Sequence, residues 1–331
     1  MRQVVRAVIL DGVDGPLEVG ELENPVAGPG RVLIRIAASG VNPLDTKIRR
    51  GQAPHAQRKF PAVPGLDMAG TVVRVGPGVT GFQPGDEVYG MTGGAGDLQG
   101  SLAQYAAVDA RFLAHKPTSL SMRETAALPL VVITAWEALI YRAQVRGGQK
   151  VLVHGGAGGI GHVAVQIARS RGAEVFATTT SRDFPVVEGF GAVPIDYTST
   201  AVEDYVARYT EGEGFDVVFD TVGGAVLDAS FDAVHPYTGH VVSAQWGSHS
   251  ISPLSFRSAT YSGVFALAPM LSGHGRQYQG EIMREAAALV DAGTLKPLLF
   301  PDRFALSDAD DAYDAVESRT RPGKVVVDVE H

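Results

Sequence analysis

Residues 151–173, VLVHGGAGGIGHVAVQIARSRGA, constrain the fold of this chain more than any other stretch. Val151, Leu152 and Val153 form a short apolar run with β-branched residues, as expected of a buried parallel strand. Five glycines follow within residues 155–161. Apolar side chains then recur at Ile160, Val163, Ala164, Ile167 and Ala168, the i, i+3, i+4, i+7, i+8 spacing of a helix buried on one side. Gly172 stands where a helix ends in a left-handed residue, and residues 174–180 read as a second strand. Strand, glycine turn, helix and strand make one βαβ unit.

Within it Gly156, Gly158 and Gly161 match G-x-G-x-x-G. The first glycine is expected to allow the tight turn, the second to let a pyrophosphate approach the backbone, and the third to let helix and strand pack closely. The helix N-terminus adds unbonded N–H groups and a partial positive charge. After a strand and before a helix, the motif points to a dinucleotide site. NAD sites usually place an acid about 20 residues on, against the ribose 2′-hydroxyl. Here the second strand ends Thr178, Thr179, Thr180, Ser181, Arg182, and no acid precedes Asp183. Hydroxyls followed by a guanidinium suit a 2′-phosphate, which favours NADP(H) over NAD(H).

Composition narrows the function classes. With 331 residues, 45% hydrophobic and 19% charged, the chain is globular in type and long enough for two domains. A net charge of −8 argues against a broad nucleic-acid or anionic-membrane surface, so neither partner is expected. The longest apolar stretch, residues 125–136, contains Pro129 and is too short to cross a bilayer. The opening MRQVVRAVIL carries a charge inside its apolar run and reads as a strand, not a signal peptide, so a cytoplasmic location is the default. The absence of cysteine excludes disulfides, thiolate metal sites and cysteine nucleophiles. His154 and His162 flank the glycine loop on different elements, without the spacing of a helix-borne metal pair.

Before residue 121, short strands alternate with Pro/Gly turns, at residues 3–10, 17–22, 31–39, 68–75, 87–89 and 102–108, as in a small barrel-like β module. From Ser121, which with Glu124 forms a capping box, the pattern changes. A helix is expected over 128–141, then strands over 151–153, 174–180, 192–196, 216–220, 239–245 and 264–267, with helices between them. That alternation predicts a doubly wound parallel sheet. Later segments return to the first module. The expected organisation is a catalytic domain at 1–120, a nucleotide-binding domain at 121–270, and elements at 271–331 that rejoin the first.

The stretches SGVNPLDTKIRRG (39–51), PGLDMAGTVVRVGPGV (64–79), GDEVYG (85–90), HGGAGGIG (154–161), FDVVFDTVGG (215–224) and RPGKVVVDV (321–329) run in order across essentially the whole chain. In combination they resemble the medium-chain dehydrogenase/reductase superfamily, in its zinc-independent quinone-oxidoreductase-like branch. The resemblance implies an α/β architecture: a GroES-like β-rich catalytic domain plus a Rossmann doubly wound parallel-sheet nucleotide-binding domain. It also implies a homodimer joined through edge strands of the nucleotide domain, with residues 263–269 as the expected edge. The zinc branch carries a catalytic cysteine where this chain has Asn42, and a His-Glu pair where Gly65 is followed by Leu66 and Asp67. Its four-cysteine lobe has no counterpart, so no metal site is expected.

Without a Lewis acid, an unactivated alcohol has nothing to stabilise its alkoxide. A quinone or a conjugated enone or alkenal is the easier substrate, because hydride adds at the β-carbon and charge moves to oxygen. By the resemblance, Asn42, Asp45 and Lys47 line the reacting centre. Asn42 would donate to the developing enolate, Lys47 would stabilise the oxyanion or ribose hydroxyls, and Asp45 would orient Lys47. Lys47 and Ala53 stand where relatives often carry tyrosines, so tyrosine-assisted quinone binding is not expected here; the final proton is assigned to water. Thr134 would meet the nicotinamide amide. Gly156, Ala157, Gly158, Gly159, Ile160 and Gly161 would hold the pyrophosphate, and Thr180, Ser181, Arg182 and Tyr197 would surround the 2′-phosphate. Val222 and Gly223 would run along the cofactor, with Phe265, Ala266, Leu267 and Lys324 near its nicotinamide end.

The glycine pattern also fits short-chain dehydrogenases, but these need Tyr-x-x-x-Lys, and none of the ten tyrosines has a lysine four positions on. Alcohol dehydrogenation, and a non-catalytic NADPH-binding sensor or structural protein, stay open at the level of sequence. Acceptor choice falls to loops at 52–59, 93–100 and 245–258, whose shapes the sequence does not define.

Overall fold

The structure, a computed structural model, describes residues 4–318 and 320–329. The chain forms two compact units. One runs to Leu130 and resumes at Leu267, and the other spans Val131–Ala266.

The second unit is built on six strands, Lys150–His154, Glu174–Thr179, Val193–Asp196, Val217–Asp220, His240–Ser243 and Thr260–Gly263. All neighbours are parallel, and their order across the sheet is third, second, first, fourth, fifth, sixth. This is the doubly wound sheet that the alternation predicts. Strand order reverses between Lys150–His154 and Val217–Asp220, and ligands of such sheets bind outside the carboxyl ends at that point. Helix Gly159–Ser170 buries Val163, Ala164, Ile167 and Ala168 completely. Leu152, Phe176, Phe215, Val218 and Phe231 fill the core on the sheet.

Two expectations shift. The helix expected over 128–141 is α-helical over Pro129–Trp136 and continues as a π-helical turn, Glu137–Arg142. The last strand lies at Thr260–Gly263 and not at 264–267. Val264 still donates its N–H to the Ser243 carbonyl at 2.9 Å, but the strand ends there; Val264 and Leu267 are apolar because they are buried at and beyond its end. The edge offered for dimer pairing moves with it.

In the first unit, strand Arg31–Gly40 is the centre. One edge pairs with Asp67–Val75. The other pairs first with Tyr105–Asp109 and, at its end, with Val326–Asp328. Glu87–Met91 and Ala114–His115 extend the sheet on one side, and Phe304–Ala305 on the other. A separate hairpin joins Val4–Ile9 to Glu18–Glu23; Gln3, included in the expected first strand, lies outside the described residues. Ile34, Ile36, Val72, Val88, Phe300, Tyr313 and Val327 share one core, so the last segments are built into this unit. Helix Met122–Ala126 also belongs to it, packed on Arg31–Gly40 and Asp67–Val75. A Cβ on Gly40 would stand 2.2 Å from the Ala126 carbonyl oxygen, so only glycine allows that approach. Among the described residues no helix is long and apolar enough to cross a membrane.

Candidate active site

The glycine loop leads from strand Lys150–His154 into helix Gly159–Ser170. Its left-handed residue is Gly155 (φ 74°), one position before the patterned glycines. Gly156 therefore serves close packing and not the turn: a Cβ there would stand 2.5 Å from Ala177 Cβ on the next strand. Gly161 packs as expected, since a Cβ would meet the Gly155 carbonyl oxygen at 2.0 Å. Gly158 is the helix N-cap and is exposed, Gly159 and Ile160 are half-buried, and Ala157 is buried. The accessible N-terminal backbone at Gly158–Ile160 fits an anion. From below, Thr178 pins the loop: its hydroxyl accepts from Gly155 N–H at 3.1 Å and its carbonyl from Gly156 N–H at 2.9 Å. His154 Nδ1 lies 3.1 Å from the same hydroxyl, and burial holds this imidazole down to about 4, hence neutral.

The parallel register sets Thr179 beside Asp196, which brings Thr180, Ser181, Arg182 and Tyr197 to one end of two neighbouring strands. Ser181 and Arg182 are exposed, and Tyr197 is 59% exposed. Asp183, the acid that follows, accepts from Thr180 Oγ1 at 3.3 Å and Arg182 Nε at 3.4 Å. Val222 and Gly223 turn out of strand Val217–Asp220 with their N–H groups on Asp220 Oδ1, both at 3.0 Å. Ser243 Oγ donates to the other Asp220 oxygen at 2.7 Å. Asp220 was not singled out from sequence; its signal was an acid closing an apolar strand directly before a turn. Thr134 is buried on Pro129–Trp136. Phe265 stacks edge-on against Trp246 at 6.0 Å, Ala266 is half-buried, and Leu267 is buried in the first unit.

In the first unit, register alone assembles a second centre. Gly40 is opposite both Asp67 and Val326, and the chain then turns into Asn42, the N-cap of helix Pro43–Arg49. Asn42, Asp45, Asp67 and Lys324 meet there, each no more than 4% exposed. Lys324 Nζ donates to the Val41 carbonyl at 3.1 Å and to Asn42 Oδ1, and stands 3.8 Å from Asp67 Oδ2. An ammonium can only donate, so Asn42 must turn its oxygen to Lys324. Its Nδ2 then donates to Asp67 Oδ2 at 3.0 Å. Asp67 Oδ1 accepts from Leu130 N–H at 2.9 Å. Asp45 Oδ2 accepts from Asn42 N–H at 2.8 Å, closing the helix start.

Three expected roles change, those of Asn42, Asp45 and Lys324. Asn42 has no exposed surface and its bonds run inward, so it is a hub and not a donor presented to substrate. Asp45 caps a helix and does not orient Lys47. Lys47 is exposed; its charge helps to lower the half-buried His55, after burial. Lys324 directs its ammonium to Val41, Asn42 and Asp67 and not outward to a cofactor. The sequence could not separate these roles, because one helical turn holds Asn42, Asp45 and Lys47 whichever face is buried.

Two carboxyls share one ammonium here. Burial first, then Asp67, pushes Asp45 up to about 7; burial pushes Asp67 up to about 6 against the pull of Lys324. Burial also lowers Lys324. A carboxyl raised on folding adds stability that is complete below its unfolded value near pH 4 and is lost as pH rises through its folded value. Between pH 4 and 7 this cluster therefore costs stability as it ionises. Asp45→Asn should flatten that fall by at most about one proton's worth of slope. Denaturant unfolding at several pH values reads it, and parallel curves for variant and wild type would show that Asp45 does not titrate there.

Zinc does not fit this place. Where the zinc branch gathers its ligands, this chain has the amide of Asn42, the aliphatic Leu66, which offers no donor, and the Asp67 carboxylate, already paired with an ammonium, whereas a catalytic zinc takes three N, S or O ligands. A buried cation would also repel the metal. Among the described residues no group of three or more His, Asp or Glu side chains could hold a metal ion.

Residues 28–118 match the alcohol dehydrogenase GroES-like domain, and residues 190–327 match the zinc-binding dehydrogenase model. The NADPH-dependent alkenal/one oxidoreductase of Arabidopsis thaliana chloroplasts is 33% identical over 95% of this chain and 77% of that protein. The chloroplastic quinone-oxidoreductase QR1 of Triphysaria versicolor is 30% identical over 98% of this chain and 99% of its own length. The crystal structure of an alcohol dehydrogenase superfamily protein from Novosphingobium aromaticivorans superposes with a TM-score of 0.96 at 54% identity, covering 98% of this chain and 100% of that one. With its two units and its glycine loop, the chain belongs to the medium-chain dehydrogenase/reductase superfamily, in the quinone-oxidoreductase-like branch.

Proposed function

We propose that the protein is an NADPH-dependent, zinc-independent oxidoreductase that reduces a quinone or an α,β-unsaturated carbonyl. The observation that carries this reading is the amide–carboxylate–ammonium cluster around Lys324, which stands where a zinc enzyme would gather metal ligands. The relatives act on alkenals, enones and quinones by their names, which supports the same acceptor class.

NADPH would supply the hydride. The chain's part is to bind and orient. The N–H groups at Gly158–Ile160 would hold the pyrophosphate, with Gly161 keeping the helix close to the loop and Gly156 keeping the loop close to the next strand. Arg182, Ser181, Thr180 and Tyr197 would hold the 2′-phosphate. Thr134 would take the nicotinamide amide, with Val222, Gly223, Phe265 and Ala266 along the cofactor. The buried cluster fixes the start of helix Pro43–Arg49, and water protonates the enolate. A homodimer forms through the edge strand Thr260–Gly263, beside which Phe256 is 89% exposed.

Nicotinamide absorbance, followed with a 1,4-quinone, a 2-alkenal, a cyclic enone and a simple aldehyde, tests the reading. Turnover of quinone or enone but not aldehyde is expected; NADPH binding without turnover on any acceptor would favour a sensor or structural protein. Arg182→Ala should weaken NADPH by about tenfold or more and NADH little, because only the former carries the 2′-phosphate. Equal losses for both would remove Arg182 from that role.

A further inference from the structure

Asp67 reaches beyond the start of helix Pro43–Arg49, because its carboxylate joins three segments. One oxygen takes Asn42 Nδ2 and faces Lys324; the other takes the Leu130 N–H. Leu130 lies in the first turn of helix Pro129–Trp136. Every residue of that helix is buried, so its unbonded first-turn N–H groups have no water to turn to. Pro129 has no N–H, which makes Leu130 the first donor in need of a partner. A carboxylate at this end also matches the helix dipole. Thr134, one turn later, carries the helix's only hydroxyl. Its position therefore follows the seating of the first turn on Asp67. Asp67 itself is fixed by pairing with Gly40 and Met91 inside the sheet and has no exposed surface.

We propose that Asp67 is a positioning residue for hydride transfer, tying the Asn42–Lys324 junction to the helix that carries Thr134. This rests on the reductase reading. Its reason is geometric: a displacement of about 1 Å far from the chemistry can cost about 100-fold in rate. Asp67 would set the nicotinamide's orientation through Thr134 without touching the cofactor, so the adenine end should not feel its loss.

Two variants test it. Asp67→Asn keeps the shape and an acceptor for Leu130 but strands the ammonium. The pair Asp67→Asn with Lys324→Met removes both charges and decides the matter if the single variant does not fold. In both, kcat should fall by about tenfold or more while KM for NADPH stays within about threefold. The kinetic isotope effect of NADPH deuterated at the transferred position should rise. The fluorescence of bound NADPH, read without any acceptor, should shift towards that of the free cofactor at nearly unchanged affinity. Wild-type kcat, isotope effect and bound-cofactor fluorescence in the double variant would overturn the role, even if the variant were less stable. Wild type inactive on every acceptor would instead defeat the reductase reading.

Discussion

Lys324→Met should lower the stability of the fold by about 3–5 kcal/mol, the cost of breaking a buried ion pair from one side. The methionine would fill the space but leave Asp45 and Asp67 facing each other with no cation, and Val41 and Asn42 would lose their donor. Part of the loss would be evaded by protonation, since both carboxyls are already raised, so the effect should grow from pH 5 to pH 8. Adding Asp67→Asn to the same chain should recover much of it, because a neutral pair of similar volume needs no counter-charge. Denaturant unfolding of the two single variants and the double variant reads this as a cycle. A loss of less than about 1 kcal/mol for Lys324→Met would mean that the cluster is hydrated and weakly coupled.

Gly161→Ala should have the second large effect. The added methyl would meet the Gly155 carbonyl oxygen at 2.0 Å and Gly156 Cα at 2.9 Å. These are backbone atoms pinned by Thr178, so the clash cannot be relieved by a rotamer. A cost of about 3 kcal/mol in stability, and loss of NADPH binding by about 100-fold, are expected as the helix is pushed off the strand. Gly158→Ala provides the contrast. Its methyl meets only the Gly155 carbonyl oxygen, at 3.1 Å, and otherwise lies in the open. It should fold nearly as wild type and bind NADPH weakly, because on the proposed binding mode the methyl would stand in the path of the pyrophosphate. Calorimetric titration with unfolding curves separates the two variants. Equal stability for both would remove the packing role from Gly161.

The sheet of the second unit was legible because its strands are short apolar runs at regular spacing, and the helix after the glycine loop because its stripe has one period. Residues 264–267 misled because burial at a loop gives the same letters as burial in a strand. The glycine pattern located the turn between strand and helix, but not which glycine makes it. Gly155 precedes the pattern, and only the distance from Gly156 to Ala177 shows what Gly156 avoids. In the first unit the local sequence was informative and the roles were not. Asn42, Asp45 and Lys47 sit on one helix start, while Asp67 and Lys324 reach them only through strand register. No local pattern announces a pair 257 residues apart in the chain. Asp67 was visible as the residue that replaces a metal-branch acid, yet its tie to Leu130 required the fold.

Reduction of a cyclic enone or quinone by NADPH, measured as kcat/KM before and after exhaustive dialysis against a chelator and again with zinc restored, should be decisive. The expected result is unchanged turnover in all three states, with no stoichiometric metal in the dialysed protein. Activity lost on chelation and restored by zinc would contradict the metal-free reductase built around Lys324.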